Sequence, residues 1–116
     1  MDLAAFETTL DGTAPPPGTT GPVRALWFAA KGDWDAAHRI VMDDGTREAA
    51  WVHAYLHRVE GDIANARYWY GQAGKGAATG ALADEWRAIV AALLAAPLRD
   101  DYRRLQAAGL RRLAGG

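Results

Sequence analysis

Two stretches of the sequence decide its fold: Ala25-Leu26-Trp27-Phe28-Ala29-Ala30-Lys31-Gly32-Asp33-Trp34-Asp35-Ala36-Ala37 and Ala54-Tyr55-Leu56-His57-Arg58-Val59-Glu60-Gly61-Asp62-Ile63-Ala64-Asn65-Ala66. They lie 29 residues apart and share one pattern, an alanine, six residues, Gly-Asp, three residues and a second alanine. A repeat of this kind is the first thing a sequence should be searched for. Each element has a physical task. Glycine accepts the left-handed conformation that ends a helix, and aspartate supplies a carboxylate to the free N–H groups that open the next. The alanines let two antiparallel helices approach closely.

Outward from these turns, a helix is expected from Val23 to Lys31 and a second from Asp33 to about Met42, where Asp43-Asp44-Gly45 breaks it. A third runs from about Thr46 to Glu60 and a fourth from Asp62 to about Gln72. Residues 71–80, Gly-Gln-Ala-Gly-Lys-Gly-Ala-Ala-Thr-Gly, form a connector. It is not a phosphate loop, because Lys75 precedes Gly76 rather than Ser or Thr, and a helix rather than a strand precedes it. A fifth helix is expected from Thr79 or Gly80 to about Ala96, with Leu82, Trp86, Ile89, Val90 and Leu93 at helical spacing. Pro97 separates it from a sixth, about Leu98 to Leu113. Residues 1–22 read as a Pro/Gly-rich N-terminal arm in which Leu3, Phe6 and Leu10 can form a turn or two of amphipathic helix that docks onto the main body. The expected organisation is that arm followed by a single domain, 23–116, of hairpins 23–42, 46–72 and 80–113.

Composition agrees with an all-α fold of about five or six helices in stacked antiparallel hairpins. The chain of 116 residues is one domain's worth, and 26 of them are alanine, the best helix former and a poor strand residue. Net charge is −1, so no overall basic field recruits nucleic acid or anionic membrane. Arg103, Arg104, Arg111 and Arg112 share the last helix with Asp100 and Asp101 and read as a solvated face. No apolar run approaches the roughly 18 residues of a membrane span, and no leader pattern opens the chain. A soluble cytoplasmic protein is the expectation. Cysteine and serine are both absent, which removes disulfides, thiolate metal sites and the Ser-His-Asp and cysteine hydrolase mechanisms.

Gly32-Asp33-Trp34-Asp35-Ala36-Ala37 resembles the turn and second-helix start of a tetratricopeptide repeat. Ala66-Arg67-Tyr68-Trp69-Tyr70-Gly71-Gln72-Ala73 resembles the related Sel1-like repeat, with its alanine, Trp-Tyr three and four residues on, and a further alanine. The likeness covers roughly residues 22–75. It departs from the repeat in its short period and in placing His53 and His57 where large apolar residues are usual. The segment Trp51–Arg58 with Glu60–Asp62 and Asn65–Tyr70 is also similar to small bacterial proteins, a likeness that implies no activity. The repeat likeness implies a protein- or peptide-binding module. Trp51, Tyr55 and Arg58 then match positions lining a concave recognition surface, and Tyr68 and Trp69 stand at its rim. Tyr68, Trp69 and Tyr70 span about 200 degrees of helix, so at least one must leave the core. A homodimer through an apolar flank is compatible with so small an array.

The alternative reading is a metal or small-ligand site. His53, His57 and Glu60, at i, i+4 and i+7, share one helical face and offer two imidazoles and a carboxylate to a divalent ion, with His38 of the first hairpin as a further donor. The HExxH helix of zinc hydrolases is absent, since residue 54 is alanine. Binding is therefore expected over catalysis, and no cofactor other than a divalent metal is suggested.

Overall fold

The computed structural model describes residues 1–95. Those residues form six α-helices and no strand: α1 Leu3–Thr8, α2 Gly21–Ala30, α3 Trp34–Met42, α4 Arg47–Glu60, α5 Ile63–Ala73 and α6 Leu82–Ala95. A single 3₁₀ turn, Thr9–Asp11, extends α1. The expected helix from Leu98 to Leu113, and the arginines on it, lie outside the described residues.

Both Gly-Asp turns are built alike. Gly32 and Gly61 have φ of +82° and +88°, the left-handed region in which a side chain would be strained. The Asp33 N–H donates to the Phe28 carbonyl at 2.9 Å, and the Asp62 N–H donates to the His57 carbonyl at the same distance, closing each preceding helix. Each aspartate then opens the next helix: Asp33 Oδ1 accepts from the Ala36 N–H at 3.0 Å, and Asp62 Oδ1 accepts from the Asn65 N–H at 3.2 Å. The paired alanines 25, 37, 54 and 66 are all buried. Helix boundaries move slightly from the sequence expectation. α2 begins at Gly21 because Pro22 is tolerated in the first turn, where its missing N–H has no partner to lose. α6 begins only at Leu82.

Helix α4 is the centre of the molecule, packing on α2, α3, α5 and α6. The core joins Leu26 and Trp27 of α2, Val41 of α3, Val52 and Leu56 of α4, and Ile89 and Val90 of α6. Phe6 of α1 is fully buried and lies against the Trp86 ring, centroids 6.0 Å apart. The start of the chain is thus part of the core. Trp27 Nε1 donates to Thr9 Oγ1, and Lys31 Nζ donates to the carbonyls of Leu10 and Gly12, holding the segment after α1 against α2. Among the described residues no helix is long and apolar enough to cross a membrane.

Candidate functional site

The packing of α3 against α4 brings the chain's three histidines together. His53 and His57 follow one another along the buried face of α4, one turn apart, with rings stacked at 4.8 Å. His38, in the middle of α3, faces them across the helix contact. Its Nε2 lies 3.1 Å from Nε2 of His53, and its ring centroid is 5.4 Å from that of His57. One ring nitrogen from each histidine lies within 4.8 Å of the other two. His53 and His57 are buried and His38 is half-buried.

Two indoles flank the cluster. Trp34 lies one turn before His38 and stacks on it at 4.6 Å, nearly parallel at 12°. Its Nε1 donates to the Leu56 carbonyl at 2.7 Å, which fixes the ring between α3 and α4. Trp69, from α5, stacks on His53 at 4.0 Å and 15°. The stacking restricts ring rotation, and the surrounding apolar surface keeps the imidazoles away from bulk water.

Hydrogen bonding differentiates the three rings. His57 Nδ1 is 2.5 Å from Glu60 Oε1, so a proton on Nδ1 is donated to the carboxylate. The Asn65 side-chain amide, on α5, lies 3.4 Å from His57 Nε2. Between His38 and His53 the two facing nitrogens share a single proton, whichever ring supplies it. His53 Nδ1 is then left buried with no partner. Burial, reinforced by the neighbouring His57 and His38, pushes the His53 pKa down to about 4. His38 is lowered as well, by burial and then by His57, with Glu60 and Asp35 opposing. His38 and His53 are thus held toward the neutral form, in which histidine binds metals.

The structure groups ring nitrogens of His38, His53 and His57, and places Glu60 on His57. Glu60 shares the helical face of His53 and His57 but uses its carboxylate on the outer nitrogen of His57, while His38 supplies the third inward nitrogen. A second group, His57, Glu60 and Asp62, also has donor atoms within 4.8 Å of one another. Glu60 and Asp62 are exposed there, and Asp62 already caps α5. Trp34 and Asn65 were not singled out by sequence. The available signals were the i, i+4 spacing of Trp34 to His38, and the position of Asn65 three residues beyond the capping Asp62.

Among the residues expected to form a recognition surface, Trp51 and Trp69 pack against the same cluster of Ala54, Ala66 and Tyr70. Tyr55 is buried. Arg58 Nη1 donates to Glu85 Oε1 of α6 at 2.8 Å, and its Nη2 donates to the Gly80 carbonyl. Tyr70 donates to the other Glu85 oxygen, so both carboxylate oxygens are engaged below the connector between α5 and α6. Trp51 is half-buried and carries the Lys75 ammonium 4.3 Å from its ring centre. Of the three consecutive aromatics, Tyr70 enters the core, Trp69 covers His53 and Tyr68 is 58% exposed. Comparison with protein families, curated proteins and solved structures gives no significant match.

Proposed function

We propose that this protein binds one divalent transition-metal ion through His38, His53 and His57. The convergence of three imidazoles from two helices carries this reading. Tetrahedral zinc with bonds of about 2.0–2.1 Å places ligand nitrogens about 3.3 Å apart, close to the 3.1 Å between His38 and His53 Nε2. A cation accepts both facing lone pairs, which a single shared proton cannot do. Glu60 on the outer nitrogen of His57 supplies the carboxylate–histidine arrangement that orients a metal ligand and raises its basicity. Nitrogen-only donors favour zinc, copper or nickel over magnesium or calcium, which require oxygen.

The other expectation, an open aromatic surface for a peptide, draws less support because Tyr55 is buried and Arg58 is tied into the contact with α6. The metal reading is tested by isothermal titration with Zn(II), Ni(II) and Mg(II). One zinc or nickel ion per chain is expected, with no heat from magnesium. His38→Gln, in a half-buried position, should weaken zinc binding at least about tenfold, in line with loss of one metal ligand. Absence of zinc and nickel binding, or binding indifferent to His38→Gln, refutes the reading.

A further inference from the structure

We infer that the ion at this centre keeps one coordination position for an exogenous ligand, a water or small anion held also by the Asn65 side-chain amide. This rests on the three-histidine reading and extends it from metal binding to ligand exchange at the metal. A four-coordinate ion with three imidazoles requires one further donor, and the two carboxylates that follow His57 in the sequence already have partners. Glu60 accepts from His57 Nδ1 at 2.5 Å, and Asp62 Oδ1 accepts from the Asn65 backbone N–H at 3.2 Å. The two flanking residues, Trp34 and Trp69, offer no lone-pair donor of the kind a divalent ion takes.

Asn65 is a polar side chain in contact with the cluster. Its amide nitrogen lies 3.4 Å from His57 Nε2. An ion bound at that Nε2 takes the lone pair and removes the amide's acceptor. The Asn65 N–H then stands beside the ion, where a metal-bound oxygen or anion restores its hydrogen bond. Charge points the same way, since three neutral ligands leave the ion's double positive charge uncompensated within a partly buried site. Trp34 and Trp69, stacked on two of the ligands, limit the exogenous ligand to a few atoms.

Co(II) is the probe, because its visible ligand-field bands report coordination directly. The protein is loaded with Co(II) and titrated with azide. Azide is expected to shift the bands of the wild-type protein saturably. Asn65→Leu should weaken azide binding about tenfold or more, the usual loss for a hydrogen bond to a charged group, while Co(II) affinity stays within about twofold. Asn65→Ala, which removes the donor without adding a charge or a metal ligand and suits a helix, should weaken azide binding likewise if the leucine variant does not fold. Bands that ignore azide in fully loaded protein overturn the inference and leave the metal site standing. An azide affinity unchanged in a folded Asn65 variant overturns the role of Asn65. Failure of the wild type to take up Co(II) overturns both readings.

Discussion

At the scale of single residues, the most local chemistry was the most legible. Asp33 and Asp62 were readable as helix caps because a cap depends on its own neighbours and on the glycine before it. Replacing either aspartate with alanine is expected to lower stability by about 1 kcal/mol, measured by urea denaturation. The pairing of His53 with His57 was also readable, since residues four apart in a helix share a face. The function of Glu60 was not. From the same face it can reach an ion or the outer nitrogen of a neighbouring ligand, and the choice is made by side-chain rotamers. The tyrosines give a further test. Burial raises the pKa of Tyr70, helped by its hydrogen bond to Glu85, and burial followed by the Glu85 charge raises that of Tyr55. The unfolded chain therefore releases these protons near pH 10 while the folded chain retains them. The folded state then binds more protons, so stability must fall as pH rises above about 10. Alkaline titration of phenolate absorbance, compared with Tyr55→Phe and Tyr70→Phe, should show both groups ionising above the ordinary tyrosine range. Ionisation of both near pH 10 contradicts this environment.

At the scale of elements, helices were legible and the relations between them only in part. The 29-residue repeat located two turns with the same backbone geometry, and Ala25, Ala37, Ala54 and Ala66 marked where paired helices meet. The contact of α3 with α4, which delivers His38 and Trp34, joins the two repeated units and leaves no mark in the local pattern of either. The turning of Arg58 toward α6 is similar, because it depends on Glu85, 27 residues away. Arg58 and Glu85 are largely buried together, with side-chain exposures of 15% and 6%. Glu85→Ala leaves the guanidinium without its partner and is expected to cost about 3–5 kcal/mol. Thermal or urea unfolding measures this directly. A loss below about 1 kcal/mol shows that the link between α4 and α6 contributes little.

At the scale of the whole described molecule, α4 organises both stability and the proposed site. One part of its surface enters the main core with α2 and α6, and another presents His53 and His57 to α3 and α5. The first helix belongs to that core, as the helical spacing of Leu3, Phe6 and Leu10 led one to expect; periodicity did not identify Trp86 as the ring that Phe6 meets. Phe6→Ala should destabilise the protein by about 3–5 kcal/mol, comparable to removing any large core aromatic, as measured by chemical denaturation. A change below about 1 kcal/mol contradicts the placement of α1 in the core.

The central claim is that two helices deliver three imidazoles to one ion. X-ray absorption spectroscopy of the protein loaded with one equivalent of Zn(II) tests it most directly, because imidazole rings leave a distinctive outer-shell scattering pattern. Three imidazole ligands with zinc–nitrogen distances of about 2.0–2.1 Å, and a fourth light-atom ligand, are expected. A first shell dominated by carboxylate oxygen, or containing fewer than three imidazoles, contradicts the three-histidine centre.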